Sequence, residues 1–303
     1  MRDPGVVTGV AGPAPAADRP RGLAGDAWRD LRRSRTFWIA AVLVALFLVM
    51  AAFPALFTPA DPRACTLDRQ YDGPSGTAFF GYDFQGCDTY ARTVYGARNS
   101  ITVGILATLI AGVIGLVVGL AAGYLGGWAD AVLSRVVDVV LGIPFLLGAI
   151  VLARRLSQNA SDDGVLAVVL TLGLLGWTTA ARVVRSSVIS AKNQDYVAAA
   201  RMLGAGPARL MMRHILPNSV APFIVVLTVL LGANIATEAT LSFLGIGLQG
   251  DAISWGIAIN ESGRFVRSAA APLVWPSVFL ALTVLAVIML GDAIRDAFDP
   301  KLR

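Results

Sequence analysis

Long apolar runs separated by shorter polar stretches dominate the chain from residue 37 onward. Each run has about 20 residues, which is the length an α-helix needs to cross the hydrocarbon core of a bilayer. We count six candidate spans, each bounded by glycine, proline or charged residues: 37–57, 100–125, 132–153, 164–181, 220–244 and 273–291. The pattern therefore predicts an all-α integral membrane protein with six transmembrane helices.

Composition agrees with this prediction, since 56% of the 303 residues are hydrophobic, more than is usual in a soluble globular domain. The segment 1–36 precedes the first span, and its first 25 residues are rich in proline, glycine and alanine without periodicity. We expect those 25 residues to be disordered. The first apolar run is long enough to span and no clear cleavage site follows it, so we expect a retained helix rather than a signal peptide.

The placement of lysine and arginine sets the orientation. Basic residues cluster before the first span, in the loop 182–217 after the fourth, and at the C-terminus: Arg29, Arg32, Arg33, Arg35, Arg182, Arg185, Lys192, Arg201, Arg209, Arg213, Arg295, Lys301 and Arg303. Cytoplasmic loops carry such an excess, so both termini are predicted inside. The loop 58–99 is then extracytoplasmic, 100–292 forms the main transmembrane domain, and 293–303 is a cytoplasmic tail.

Only two cysteines occur, Cys65 and Cys87, and both fall in the loop 58–99. On the outer side of the membrane a disulfide could form and persist, and it would stabilise the loop by about 3 kcal/mol in the chain-entropy model. The alternative is two unpaired thiols. Spacing alone does not supply the geometry that decides between them.

Several kinds of chemistry are absent from the sequence. The only lysines are Lys192 and Lys301, and neither follows a glycine-rich loop, so no phosphate-binding P-loop exists and we expect no ATP hydrolysis by this chain. His214 is the only histidine, which excludes a multi-histidine metal site within one chain. A membrane-embedded hydrolase is therefore a poor candidate, and we predict neither an enzyme nor a resident cofactor.

Glycine recurs at every fourth residue along the second span, at Gly115, Gly119, Gly123 and Gly127. Small residues at this spacing line one helix face and allow close approach of a neighbouring helix. We therefore predict a packing ridge, against the alternative that glycine is simply common in membrane helices. The partner helix could belong to this chain or to another.

Charged and polar residues within the spans need an explanation, because each is costly in lipid. Arg135 and Asp138 are three residues apart in the third span, and we predict an ion pair between them. Glu238 lies deeper, in the fifth span, with Asn234 one turn before it. These two either line a transport path or form hydrogen bonds between helices. Pro144 is predicted to kink the third span.

The basic loop 182–217 has the layout of a docking element. The alanine-rich segment 196–203 is predicted to be helical, with Asp195 near its N-terminus and Gly204 as its C-terminal break. A second short helix is predicted from Pro207, and Pro217 then begins the fifth span. The alternative is an amphipathic helix that rests on lipid, but that would favour Trp or Phe, and neither occurs in residues 192–218.

The spacing in this loop resembles the EAA loop of ABC importer permeases. The family pattern is Glu-Ala-Ala, three residues, Gly, nine residues and Ile-x-Leu-Pro. The chain has Ala198 in place of the glutamate and His214 in place of the isoleucine, and it keeps the family residue at five positions: Ala199, Ala200, Gly204, Leu216 and Pro217. The resemblance implies that these residues, with Asp195 and Tyr196, couple the chain to a cytoplasmic ATPase.

Other segments narrow the resemblance. Residues 80–88 (FGYDFQGCD) and 95–100 (YGARNS) are similar to the Gly-Thr-Asp-x-x-Gly-Arg-Asp and Tyr-Gly-Ala-Arg-x-Ser runs of dipeptide and oligopeptide permeases. Cys87 stands where that family has arginine, which is consistent with a disulfide. Further similar segments are 238–247, 254–256 and 290–303. From about residue 28 to its end, the chain resembles the C-type permease subunit of peptide/nickel-class importers.

The resemblance implies a type I ABC importer permease fold with a cytoplasmic coupling helix. It also implies three kinds of partner: a related B-type permease, two ATPase subunits or domains that bind ATP and magnesium, and an extracytoplasmic solute-binding protein that delivers peptides. The same architecture could import nickel chelates, glutathione or another small solute. A channel or secondary transporter that works without an ATPase is a more distant alternative.

Overall fold

The computed structural model describes residues 23–158 and 163–298, which are mostly helical. The α-helices within them are α1 Leu23–Arg33, α2 Arg35–Ala52, α3 Thr89–Leu125, α4 Gly127–Gly142, α5 Phe145–Ser157, α6 Val165–Lys192, α7 Asp195–Met202, α8 Pro207–Leu210, α9 Leu216–Phe243, α10 Trp255–Gly263 and α11 Ala271–Phe298. Most of the tail expected to be disordered, residues 1–22, lies outside the described part. For residues 23–25 that expectation is wrong, because they begin α1.

Five helical segments of the described chain are long and apolar enough to cross a membrane: Arg35–Ala52, Thr89–Leu125, Val165–Lys192, Pro207–Phe243 and Ala271–Phe298. The remaining candidate is the pair α4 and α5, whose axes are bent by 88°. The break falls at Ile143 and Pro144, where Ile143 takes the extended conformation (φ −76°, ψ 123°) that a following proline favours. The predicted kink at Pro144 is therefore a complete break.

The α4–α5 pair nevertheless runs the whole length of α6 in the opposite direction. Near the start of α4, Asp130 pairs with Arg185, close to the end of α6. Around the break, Val140 lies in the same apolar cluster as Trp177. In α5, Ala149 packs in a cluster with residues 168–172, near the start of α6. Because the contacts advance steadily along α6, they favour one broken span over a loop that returns to the same side. The described residues then hold six candidate spans.

The glycine ridge packs α3 against α6 of the same chain. A Cβ added at Gly115 would lie 2.5 Å from the Ala180 Cβ, and one added at Gly119 would lie 2.7 Å from the Val184 Cβ. Gly123 meets α6 in the same way at residue 188. The fourth position, Gly127, is wrong as a ridge member, because α3 ends at Leu125 and no atom lies within 4 Å of an added Cβ there.

The two ends of the described chain meet on one side of the bundle. Leu31 of α1 is buried in a cluster with Ala293 and Ala297 near the end of α11. Ser34 separates α1 from α2, and its hydroxyl caps α2 by accepting a hydrogen bond from the Phe37 N–H at 3.2 Å. This contact agrees with six crossings, which require both termini on the same face.

The first span is shorter than expected, since α2 ends at Ala52 rather than at residue 57. Three other helices extend far beyond the spans expected for them. Helix α3 begins at Thr89 rather than at residue 100, because Asp88 caps it by accepting hydrogen bonds from two backbone N–H groups. Helix α6 continues through Lys192, so the basic loop starts inside a helix. Helix α11 likewise continues to Phe298, past the expected end of its span. All three extensions are polar helical ends that the apolar runs do not reveal.

The outer loop between α2 and α3 is closed by the Cys65–Cys87 disulfide. Beside it, Asp83 accepts a hydrogen bond from the Cys87 N–H at 2.9 Å and pairs with Arg92 at 2.6 Å. Arg92 also reaches Glu261 of α10 at 3.0 Å. The disulfide and the ion pairs of Arg92 therefore hold the loop against α10, on the outer face of the bundle.

The ion pair expected on α4 is present, with Arg135 and Asp138 3.8 Å apart. Asp138 also has a closer partner that the sequence did not indicate, Arg182 of α6 at 2.8 Å. The carboxylate therefore links α4 to α6 as well as pairing within α4. A second link joins Asp130 to Arg185, whose guanidinium makes two hydrogen bonds of 2.5 and 2.7 Å to the carboxylate.

Candidate functional site: the cytoplasmic loop between α6 and α9

Helix α7 forms where the sequence predicts it, at Asp195–Met202. It ends in a Schellman motif, in which the Ala205 N–H donates to the Ala200 carbonyl at 3.1 Å and the Gly204 N–H donates to the Arg201 carbonyl at 3.0 Å. Gly204 has a φ of +82°, in the left-handed region that glycine adopts most easily. The glycine break therefore sets the direction in which the chain leaves α7.

One buried side chain anchors α7 to the bundle. Val197 is fully buried in a cluster with Val184 and Val188 of α6 and with Leu210 and Ile215 on the far side of the loop. This cluster holds the helix against the cytoplasmic ends of α6 and α9. The loop is thus a packed element of the fold.

The opposite side of α7 is exposed. Four of its side chains are exposed: Tyr196, Ala198, Ala199 and Arg201. The side chains with the largest exposed fractions are apolar: Met202 at 83% and Leu203 at 88%. Small alanines beside exposed apolar side chains form a surface that another protein can approach closely.

The chain returns from α7 to the membrane without a break in helical conformation. After α8, residues Met211–Ile215 form one π-helical turn that passes directly into α9. Pro217 is the second residue of α9, at the start of the fifth span as expected. His214 lies in the π turn, and its carbonyl accepts a hydrogen bond from the Asn218 side chain at 2.7 Å. Because the helical segment is continuous from Pro207 to Phe243, the only elbow between α7 and the end of α9 is at 203–206.

Lys192 links the end of α6 to the end of α3. Lys192, the last residue of α6, donates from its Nζ to the Tyr124 carbonyl near the end of α3 at 2.6 Å. The last carbonyls of a helix have no partner within the helix, and a lysine satisfies one of them here. The cytoplasmic ends of α3 and α6 are therefore fixed together directly beside α7.

Comparison with known families gives two matches that together cover 242 of the 303 residues. Residues 115–303 match the inner membrane component of binding-protein-dependent transport systems, and residues 22–74 match the N-terminal transmembrane domain of oligopeptide transport permease C. The first match alone covers more than half of the chain. The chain belongs to this permease family. It is accordingly a multi-pass protein of the bacterial inner membrane.

Individual relatives agree with the family assignment. The permease is 38% identical over 285 residues to the dipeptide transport system permease protein DppC of Bacillus subtilis, covering 92% of this chain and 86% of the relative. It is 34% identical over 278 residues to DppC of Alkalihalophilus pseudofirmus, covering 92% and 90%. It is also 35% identical over 277 residues to the glutathione transport system permease protein GsiD of Escherichia coli O157:H7, covering 91% and 90%.

Solved structures show the same fold. The MetNI methionine ABC transporter in an inward-facing conformation aligns with a TM-score of 0.57 and 20% identity, covering 69% of this permease and 96% of the solved chain. A second crystal form of that transporter aligns with a TM-score of 0.56 and 22% identity, covering 68% and 96%. The permease therefore has the fold of type I ABC importer permeases.

The two polar residues of α9 lie inside the bundle of the permease. Asn234 is buried and donates to the Thr108 hydroxyl of α3 at 2.9 Å. Glu238 is fully buried, and its Oε1 accepts a hydrogen bond from Ser242 at 2.8 Å. The other carboxyl oxygen, Oε2, is buried without a hydrogen-bond partner among the described residues. The Asn234 contact fits the interhelical alternative, whereas the hydrogen bond of Glu238 stays within α9. A role of either residue in lining a transport path stays a prediction.

Several residues of the permease were not singled out from the sequence. Val197 stands among alanines, and nothing in its neighbourhood marks it as the anchor of α7. The exposed pair Met202 and Leu203 could have been noticed as apolar residues next to a helix-ending glycine. The Arg92–Glu261 link joins residues 169 positions apart, and no local pattern predicts such a pair.

Proposed function

We propose that this permease is one membrane-spanning half of an ATP-driven importer for di- and oligopeptides. The observation that carries the proposal is 34–38% identity to two dipeptide permeases over 92% of the chain. Relatedness at that level along nearly the whole length includes the transmembrane helices that form a transport path, together with the cytoplasmic loop.

The second half of the path is a related B-type permease in this proposal, and the energy comes from two separate ATPase subunits or domains that bind ATP and magnesium. The absence of a P-loop in this sequence is consistent with an external ATPase. An extracytoplasmic binding protein delivers the peptide to the outer face, in keeping with the family to which the chain belongs.

Helix α7 is the contact with the ATPase. Its outer surface combines small residues, Ala198 and Ala199, with the exposed apolar side chains of Met202 and Leu203. A surface of this kind is expensive to leave in water but suits a groove on a partner protein. Asp195 and Tyr196 lie at the start of the same helix and extend the contact.

The way in which α7 is attached to the transmembrane helices explains how ATP hydrolysis is coupled to transport. Val197 fixes it to α6, and beyond the elbow at Gly204 the backbone is helical without interruption from Pro207 to Phe243. When the ATPases close on ATP, a displacement of α7 is therefore carried as a rigid-body movement into α9. Residues Ala200, His214, Leu216 and Pro217 lie along this connection.

A second cargo is favoured by one specific observation, the 35% identity to glutathione permeases over 91% of the chain. Glutathione is itself a modified tripeptide, so the two cargoes share their chemistry. Uptake assays on the reconstituted complex decide between them. Uptake of labelled dialanine that excess glutathione does not reduce supports peptide import. Uptake of labelled glutathione that excess dialanine does not reduce identifies glutathione as the cargo.

Affinity purification of the permease in mild detergent, with mass spectrometry of the bound proteins, tests the ATP-driven mechanism. Recovery of an ATPase and a second permease is the expected result. Peptide uptake by the purified chain alone, without any ATPase, would identify a channel or secondary transporter instead.

A further inference from the structure

Helix α1 lies where the chain enters the membrane, and one side of it is strongly basic. Four arginines occur immediately before or at the start of α2: Arg29, Arg32, Arg33 and Arg35. All four side chains are exposed. Within residues 23–158 and 163–298, none of them forms a salt bridge. This surface therefore offers four guanidinium groups that no carboxylate of the described chain neutralises.

The arginines of α1 face away from the rest of the bundle. Successive residues of an α-helix are about 100° apart around its axis, so Arg29, Arg32 and Arg33 fall within an arc of about 100°. Leu31 lies on the opposite side of the helix, where it is buried against the end of α11. The contact between α1 and α11 therefore leaves the basic side uncovered.

Acidic residues lie on the side of α1 that faces α11. A cavity of about 240 Å³ between α1 and the end of α11 is lined by Asp30, Asp292 and Asp296. Asp30 is the one acidic residue of α1 whose side chain the structure describes. The negative charges thus gather beside α11, and the arginine side chains point outward.

Two exposed tryptophans mark the depth of this basic side in the membrane. Trp28 of α1 and Trp38 of α2 are 51% and 49% exposed. The Arg32 guanidinium lies 5.5 Å from the centre of the Trp28 ring, and the Arg32 carbonyl accepts a hydrogen bond from the Trp38 indole N–H at 3.0 Å. Tryptophan is enriched at the boundary between the headgroups and the hydrocarbon of a bilayer. The neighbouring arginines are therefore placed at headgroup depth.

The exposed side chains that follow along α2 are apolar. Ile39 and Val42 are 56% and 61% exposed, and α2 is one of the membrane-crossing helices. Along the chain, a basic surface, a pair of tryptophans and an apolar face thus follow one another. This order matches the headgroup layer, its boundary and the acyl chains of one bilayer leaflet.

We propose that Arg29, Arg32 and Arg33 bind the phosphate groups of anionic phospholipids in the cytoplasmic leaflet, so that α1 anchors the permease at the membrane surface. Basic residues on a helix next to a membrane span are typical of anionic lipid recognition. The planar guanidinium group binds phosphate oxygens through two parallel N–H donors. The inference depends only on the membrane location of the chain and is independent of the cargo.

Lipid binding to the purified permease complex tests this surface. The complex in mild detergent is titrated with phosphatidylglycerol, whose headgroup is anionic, or with phosphatidylcholine, which has no net charge. Bound lipids are counted by native mass spectrometry. Each basic residue near an anionic surface strengthens binding about fivefold. We therefore expect phosphatidylglycerol to bind at least about tenfold more tightly in about 0.1 M salt, and the preference to shrink in about 1 M salt.

Three variants show whether α1 is responsible. Arg29→Gln/Arg32→Gln/Arg33→Gln should bind both lipids about equally. Replacing the same three residues with lysine keeps their charge, and most of the preference should remain. The control removes as much charge from exposed arginines of the cytoplasmic loop and should keep the wild-type preference: Arg201→Gln, Arg209→Gln and Arg213→Gln.

Three results would overturn the proposal. They are a wild-type permease without a preference for phosphatidylglycerol, a glutamine variant of α1 that keeps it, and an equal loss in the control, which would show a general effect of charge. A photoreactive amino acid in place of Trp28, in nanodiscs that contain phosphatidylglycerol, shows directly what covers this surface. A crosslink to phosphatidylglycerol is expected. Crosslinks to a second permease alone would show that a protein occupies the site instead.

Discussion

The N–H of Ala205 donates a hydrogen bond to the carbonyl oxygen of Ala200 across the left-handed turn at Gly204. This bond closes α7 and fixes the angle at which the chain returns toward the membrane. Everything after the turn is continuous helix through α9. The elbow is therefore the one place in this connection where a local backbone change can alter the position of α7 relative to a transmembrane helix.

The first prediction concerns the conformation of Gly204. No atom lies within 4 Å of an added Cβ, so a substitution acts only through the backbone. A β-branched residue disfavours a φ of +82° by about 1–2 kcal/mol, whereas asparagine tolerates it. We expect Gly204→Val to leave the complex inserted but to uncouple ATP hydrolysis from uptake, and Gly204→Asn to retain coupling. Normal peptide uptake by reconstituted Gly204→Val would contradict the proposed role of the elbow.

The second prediction concerns the anchor of α7. Val197→Thr keeps the side-chain shape but places a hydroxyl in an apolar cluster, at a cost of about 1–3 kcal/mol. We expect faster trypsin cleavage after Arg201 and Arg209, because the loop opens more often. The matched control is Ala198→Thr on the exposed side of the same helix, which should be cleaved at the wild-type rate. Equal cleavage of the two variants would show that Val197 does not hold the loop.

The third prediction concerns the close packing of α3 on α6. A Cβ at Gly119 would lie 2.7 Å from both the Ala181 carbonyl oxygen and the Val184 Cβ, so the helices must separate. Overpacking of this kind costs about 1–3 kcal/mol. Gly119→Ala should therefore lower the thermal midpoint of the purified protein in detergent. Gly263→Ala, where an added Cβ meets nothing within 4 Å, is the control and should leave the midpoint unchanged.

The fourth prediction concerns the outer loop. Reduction of the Cys65–Cys87 disulfide should lower the thermal midpoint, since a loop of this length contributes about 3 kcal/mol. The double variant Cys65→Ser/Cys87→Ser should start at the lower midpoint and show no further response to reductant. Alkylation of the wild-type cysteines without prior reduction would show that the bond is absent in the isolated protein.

Much of the fold could be predicted because long apolar runs in the sequence mark the membrane-spanning helices. Helix α7 was also predictable to within a residue, since alanines followed by glycine mark both its formation and its end. The N-terminal part of α3 was not, because residues 89–99 mix polar and apolar side chains and form no apolar run. Tertiary contacts, such as the hydrogen bond from Trp255 of α10 to the Thr93 carbonyl, hold this part in place. Pro144 indicated a kink, but the 88° bend depends on how the two half-helices pack along α6.

The candidate site was predictable only in part. The motif spacing indicated which residues belong to the loop, but it did not reveal that Val197 is its anchor or that Met202 and Leu203 are its most exposed apolar side chains. Those properties depend on which face of α7 meets α6, and a helix of eight residues rich in alanine has almost no hydrophobic periodicity to show this.

The central claim, that α7 is the contact with an ATPase, is tested most directly by photo-crosslinking. A photoreactive amino acid replaces Met202 in the purified complex, and the same residue replaces Leu67 in the outer loop, which is 73% exposed, as the control. We predict a crosslink from position 202 to an ATPase subunit and none from position 67. Failure of position 202 to crosslink to an ATPase that is present in the same complex would contradict the account.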